Sequence, residues 1–203
     1  MGKLLIAFAV VGLVAPAALA DDLNPPTWRG DPGSTFQHWY DFANVLGWDI
    51  APDVEDNQYG NPNLNSPYGD FEVLPSYQGR TNVLHGIDWE EFELFIPNNP
   101  IENDSKDILL QVVWHWDGPP GYSWDPQPPI IDSSLNNDLG GGWYYDWILY
   151  RYDYNPDSEI LTLTNDFGDV YIDQIVIDTI CIPEPATLSL LAIGGLALLR
   201  RRR

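Results

Sequence analysis

Apolar side chains recur at every second position through most of residues 35–182, and the three-to-four spacing of an amphipathic helix is hard to find there. Ile108, Leu110, Val112, Trp114 and Trp116 alternate with Gln111, Val113, His115 and Asp117. Phe92, Leu94 and Ile96 alternate with Glu91, Glu93 and Phe95, and Phe36, His38, Tyr40 and Phe42 share a face opposite Gln37, Trp39 and Asp41. Successive side chains of a strand point to opposite faces, so a period of two predicts half-buried strands. Residues 143–154, aromatic on both faces, with 159–164 and 169–182, add further strands. Asn165-Asp166-Phe167-Gly168 is a hairpin signal between the last two. The connecting stretches are rich in turn residues: 51–70 is polar, 117–129 is proline-rich and extended, and 134–142 reads as a flexible approach to the next strand. Many short strands punctuated by Gly and Pro, without alternating helices, predict an all-β chain with a single β-sandwich over 21–182.

One strand breaks its own period. Val170 and Ile172 share a face, but Ile175 and Ile177 fall on the opposite phase. An extra residue at Asp173-Gln174, a β-bulge, returns all four to one side and re-aims Asp173. Val170-Tyr171-Ile172-Asp173-Gln174 resembles the final strand of jelly-roll carbohydrate-binding modules. The resemblance implies a jelly-roll-like sandwich and a structural calcium ion (Ca2+) held in part by Asp173. The second aspartate of that pattern is Gln174 here.

The two ends read differently from the body. Residues 1–20 carry Lys3, an apolar run over 4–14 and the small residues Ala18 and Ala20 around Leu19. This is the pattern of a signal peptide, cut after Ala20 and read by the general secretion machinery. At the other end, Pro183 and Pro185 cannot continue a strand ladder. Residues 186–199 would make a helix of about 21 Å at ~1.5 Å per residue, a short transmembrane helix against a hydrocarbon core of ~30 Å. Arg200, Arg201, Arg202 and Arg203 then act as a cytoplasmic stop. Pro183, Glu184, Pro185, Ala186 and Thr187, a Leu/Ala/Gly stretch and an arginine cluster, in that order, resemble the bacterial PEP-CTERM sorting signal. The resemblance implies three segments: 1–20 signal peptide, 21–182 body, 183–203 sorting tail. It also implies processing by a membrane-embedded exosortase and a transient stay in the inner membrane. Delivery to the cell envelope or extracellular matrix of an exopolysaccharide-producing host would follow.

The chain holds 30 acidic and 9 basic residues. Without its ends, the body keeps Arg29, Arg80, Lys106 and Arg151 against 29 carboxylates, a net of −25. Such a body is repelled by phosphate backbones and anionic lipid, which argues against nucleic acid and direct membrane-surface binding. Cations and neutral glycans remain as partners, beside plain solubility. Cys181 is the single cysteine; it can pair between chains, react, or sit inert in a strand.

Three chemistries are open to the body. Flat sugar faces stack on aromatic rings, which makes Trp114, Trp116, Trp124 and Trp147 glycan-binding candidates; the same rings could instead form the core. The oxygen-rich clusters Asp53, Glu55, Asp56, Asn57 and Asn165, Asp166, Asp169 suit calcium by donor type, but neither has the spacing of a calcium-binding loop. His38, His85 and His115 are scattered and do not build a zinc site. Glycosidase chemistry needs two facing carboxylates; Glu91 and Glu93 stand about 7 Å apart by strand geometry, on the face opposite the apolar residues. No nucleophile elbow, zincin motif, P-loop or dinucleotide fingerprint is present. The expected protein is an exported, non-catalytic structural or glycan-associated β-sandwich. The alternative is a small secreted carbohydrate-active hydrolase or lyase.

Overall fold

The computed structural model describes residues 23–44, 48–88, 90–100, 105–115, 119–154, 156, 158–164 and 168–182. The signal segment with Ala18 and Ala20, the tail from Pro183 to Arg203, and Trp116, Asn165 and Asp166 lie outside them. The strands are β1 (Ser34–Trp39), β2 (Asp49–Ile50), β3 (Val54–Asp56), β4 (Asn63–Asn65), β5 (Phe71–Leu74), β6 (Val83–Gly86), β7 (Glu91–Pro97), β8 (Ser105–His115), β9 (Gly121–Asp125), β10 (Ile130–Gly140), β11 (Trp143–Tyr152), β12 (Ser158–Thr164) and β13 (Val170–Ile182). One 3-10 turn, Phe42–Asn44, is the helical element among the described residues.

Two antiparallel sheets pack as the β-sandwich that the alternation predicts. The larger runs β10-β11-β8-β13-β1-β3, with β6 beside the start of β13 and β5 beside β6. The smaller runs β2-β4-β7-β12-β9. Between them, Ile108, Leu110, Val112 and Trp114 of β8 and Ile175 and Ile177 of β13 join Phe92, Leu94 and Ile96 of β7 and Leu161 and Leu163 of β12. Each such side chain contributes about 1.5–3 kcal/mol on leaving water, so the alternation itself determines which face of each strand turns inward. The bulge in β13 is where the phase places it. Pairing with β8 steps from Ile172↔Trp114 to Gln174↔Val113, which leaves Asp173 as the extra residue. Val170, Ile172, Ile175 and Ile177 then all reach the core.

In β1, where the alternation left the inward side open, it is the face of Thr35, Gln37 and Trp39 that turns to the core. The register with β13 decides this, setting Trp39 opposite Ile175 and Gln37 opposite Ile177. The Trp39 indole N–H donates to the Ile50 carbonyl at 3.0 Å, and the Gln37 amide N–H donates to Thr35 Oγ1 at 3.0 Å, so both inward N–H donors have partners, while Gln37 Oε1 is buried without one. The hairpin expected at 165–168 falls largely outside the described residues, but the strands it would join do not pair: β12 lies between β7 and β9 in one sheet and β13 lies in the other. Residues 134–142 are no flexible approach either. Most belong to the edge strand β10, whose pairing with β11 is broken by three register shifts. An edge exposed on both faces has no reason to alternate, so its sequence hides the strand.

The outer face of β8 is also covered. Val113 packs with Val83 and Trp143, and Leu74, Tyr77, Tyr145 and Tyr171 close over them as a second, smaller core. His115 lies edge-on to Tyr77 and to Trp143 in this layer.

Candidate functional site

The indoles singled out in the sequence mostly serve the fold. Trp114 and Trp124 are 3% and 4% exposed, and Trp114 stacks on Tyr144 while Trp124 meets Tyr150 edge-on. A sugar cannot reach a ring held this way, which corrects both as glycan platforms. They are inward because their strand positions pair with inward neighbours: Trp114 with Ile172 and Trp124 with Leu161. Trp147 is half-buried on the outer face of the larger sheet, opposite Gln111 and Ser134. Cys181 is buried, its Sγ 3.5 Å from Asn98 Oδ1, and burial pushes the thiol pKa up.

Several of the acidic candidates are engaged as well. The bulge does aim Asp173, but at the Arg80 guanidinium, which pairs with it. Burial raises the Asp173 pKa and Arg80 opposes the shift. A calcium ion there would have to displace a guanidinium, so the calcium role is corrected to an ion pair. Asp53 Oδ2 accepts the backbone N–H groups of Tyr40 and Asp41 at 2.7 and 2.8 Å, and Asn57 bridges Tyr59 and Pro97. Asp169 lies 3.3 Å from His85 Nε2. Among the described residues no group of three His, Cys, Asp or Glu side chains is placed to hold a metal ion. Glu91 and Glu93 are half-buried on the outer side of β7, opposite Thr164 and Thr162.

Among the described residues one indole ring is held out of the fold. Trp48, just before β2, is 63% exposed and lines an open hollow of about 390 Å3 with Phe42, Ala43, Gly69, Phe71, Glu72 and Val73. That volume is in the range of small-molecule sites. The turn beneath the ring is braced from inside. The buried Glu90 carboxylate accepts the Ser66 hydroxyl at 2.6 Å and the Asp70 backbone N–H at 3.0 Å. Ser66 Oγ accepts the Gly69 N–H at 3.0 Å, and the Ser66 N–H donates to the Trp48 carbonyl at 3.2 Å. Gly69 has φ +75° and lies so close that an added Cβ would sit 3.2 Å from Trp48 Nε1. Glycine meets both demands without strain. Tyr68, one residue earlier, is also 63% exposed.

Glu72 supplies the charge on the hollow's wall. Its carboxylate accepts from His85 Nδ1 at 2.9 Å, while the His85 ring lies flat on Tyr171 with centroids 4.3 Å apart. The hollow thus combines an exposed apolar plate with an oriented acceptor. Sequence reasoning passed over Trp48, although a signal existed: it stands between Gly47 and Asp49, outside every alternating run, and so belongs to no inward face.

Each of the body's four cations already has an anion. Arg29 grips Asp178 through two nitrogens at 2.5 and 2.6 Å, and Arg151 grips Asp107 at 2.6 and 2.7 Å. Arg80 holds Asp173, and Lys106 sits 2.6 Å from both oxygens of Glu159. The body's net charge is therefore negative, with none of its four Lys and Arg side chains left uncommitted to receive an anionic ligand.

Residues 182–203 match the PEP-CTERM protein-sorting motif, so the tail marks an exported protein whose processing falls to an exosortase. Comparison with curated proteins and with solved structures finds no match for the chain. The likeness of β13 to carbohydrate-binding modules receives no support from these comparisons.

Proposed function

We propose that the body is a non-catalytic, glycan-associated module of the cell envelope or matrix, and that the Trp48 hollow is its contact with a neutral polysaccharide. The observation that carries this reading is the exposed Trp48 ring at the wall of the hollow, above a turn braced by the Glu90–Ser66–Gly69 bonds. An apolar plate that stays in water without serving the core invites a flat apolar partner, and a sugar ring has such a face. Glu72 and nearby backbone groups accept hydroxyl hydrogens. Anionic polymers are disfavoured by the body's charge and by its fully paired cations. Among the residues lining the hollow Glu72 is the one carboxylate, where hydrolysis by paired acids needs two, and this supports binding over catalysis.

The test is a pull-down of the purified mature protein on neutral and uronic-acid-rich envelope polysaccharides. Wild type binds the neutral polymer, and Trp48→Ala weakens it about tenfold, or ~1.4 kcal/mol, the scale of one aromatic stacking contact. Absence of binding to every envelope polymer sinks the glycan reading and leaves a structural protein.

A further inference from the structure

A buried group of reactive side chains lies where the chain passes from β7 to β8, and the Trp48 hollow makes no use of it. Lys106 stands near the start of β8 in the larger sheet, Glu159 near the start of β12 in the smaller one, and Asn98 directly after the end of β7. The Lys106 and Glu159 side chains are 0% exposed, and Asn98 is buried with them. Lys106 Nζ sits 2.6 Å from both Glu159 oxygens. The Asn98 amide donates to one of those oxygens, Oε1, at 3.2 Å, and to the Pro156 carbonyl. An amine and a carboxamide therefore meet on one carboxyl group, out of water.

Each member of this group is prepared for acyl transfer. Burial pushes Lys106 down toward the amine and Glu159 up toward the acid. A neutral lysine amine is a nucleophile, whereas the ammonium form has no lone pair to offer. The carbon open to it is Asn98 Cγ, whose carbonyl oxygen already has donors. Asn98 Oδ1 accepts the Asn99 backbone N–H at 2.8 Å, and the Cys181 thiol lies 3.5 Å away. Burial raises the thiol pKa, so the sulfur keeps its proton and can donate it to a hydrogen bond. Donors on that oxygen stabilise the negative charge it gains when the carbon becomes tetrahedral.

We propose that Lys106 and Asn98 join in an intramolecular isopeptide bond, with Glu159 as the acid and base that moves the protons. The Nζ lone pair adds to Asn98 Cγ, and the carbonyl π pair moves onto Oδ1. Glu159 takes a proton from Nζ and delivers one to Nδ2. The Cγ–Nδ2 bond breaks, ammonia leaves, and the carbonyl re-forms. An amine and a carboxamide become a secondary amide and ammonia, and Glu159 ends as the protonated acid it was in the neutral pair. No oxidant or cofactor enters. The structure holds the open form that precedes this step, and the charge pairing and titration of Lys106 with Glu159 are properties of that form. The bond ties the two sheets together in a chain whose single cysteine rules out an internal disulfide. It does not depend on the glycan reading.

The experiment is tryptic mapping of the full chain, folded, incubated and then denatured. Lys106 is the one Lys or Arg between Arg80 and Arg151, and trypsin does not cut after an acylated lysine. Wild type is expected to give residues 81–151 as one peptide, lighter than its sequence by one ammonia, with fragmentation placing the link between Asn98 and Lys106. Two peptides of full mass, 81–106 and 107–151, overturn the proposal. So does loss of ammonia from 81–106 with the cut after Lys106 intact, which marks ring closure on the Asn99 backbone nitrogen instead. Loss of water with Lys106 joined to Glu159 overturns it too. Glu159→Gln, with its fold checked by tryptophan fluorescence, is expected to give the two full-mass peptides; a link formed to the wild-type extent overturns the role of Glu159. The wild-type digest decides the bond whether or not that variant folds.

Discussion

Lys106 and Glu159 offer the sharpest check on how the two sheets are joined. Lys106 comes from β8 and Glu159 from β12, so their contact crosses the sandwich, and both side chains are 0% exposed. Burial lowers the Lys106 pKa and raises that of Glu159, in each case against the attraction of the partner. Both groups are thus pushed toward their neutral forms, which means desolvation outweighs what the pairing returns. The sign of the pH dependence follows. Above the ordinary carboxylate range the native state holds the Glu159 proton longer than the unfolded chain, so stability falls as pH rises through that window. It rises again as pH climbs toward 10.5, where the unfolded lysine still holds a proton that the native one releases earlier. Lys106→Ala strands a buried carboxylate and leaves a cavity, at a cost of about 3–5 kcal/mol. With a urea m-value of about 2 kcal/mol/M, the midpoint drops by about 2 M. Replacing both residues, Lys106→Met with Glu159→Leu, leaves stability within about 1 kcal/mol of wild type or raises it, since neither charge remains to be desolvated. Asn98 keeps its bond to the Pro156 carbonyl in that variant. Urea unfolding followed by tryptophan fluorescence measures both. The reasoning is refuted if the double variant is as unstable as the single one, or if the single loses less than about 1 kcal/mol.

Two further outcomes follow from the same structure. His38 is buried, with Nε2 2.9 Å from Gln174 Oε1, and burial lowers its pKa below 6.5 with the Gln174 bond opposing. The unfolded chain therefore binds that proton first, so the melting temperature falls as pH drops below 6.5, and His38→Gln flattens this part of the profile. Glu90→Ala leaves Ser66 and the Asp70 N–H without their acceptor, which costs about 1–3 kcal/mol in urea unfolding. It also weakens glycan binding in the pull-down by loosening the turn under Trp48; unchanged binding in a folded Glu90→Ala protein contradicts the brace.

The sequence revealed most where one face of a strand is buried and the other is not. β7 could be read residue by residue, and the phase slip in β13 located its bulge, because a period of two leaves a single inward set. Reading failed where both faces are covered or neither is. In β1, Phe36 and Trp39 compete for the inside, and only the register against β13 decides between them. In β10 nothing is buried deeply enough to impose a period. The candidate site was legible only at the level of residue type. That aromatic rings and carboxylates were plentiful was visible; which ring stays out was not. Trp114 and Trp124 are drawn inward by their strand neighbours, whereas the turn beside Trp48 depends on Ser66, Gly69 and Glu90, which lie 18, 21 and 42 residues after it in the sequence. Asp173 was correctly marked as aimed, but its partner Arg80 lies 93 residues away and on no recognisable motif.

The most direct measurement is a polysaccharide titration of the mature protein followed through its tryptophan indole N–H resonances. All nine tryptophans lie between residues 28 and 147, so each can report. Binding at the hollow moves the Trp48 signal, identified by its loss in Trp48→Ala, and leaves the core signals of Trp39, Trp114 and Trp124 in place. A shift confined to Trp147, or no shift at saturating neutral polymer, contradicts the account.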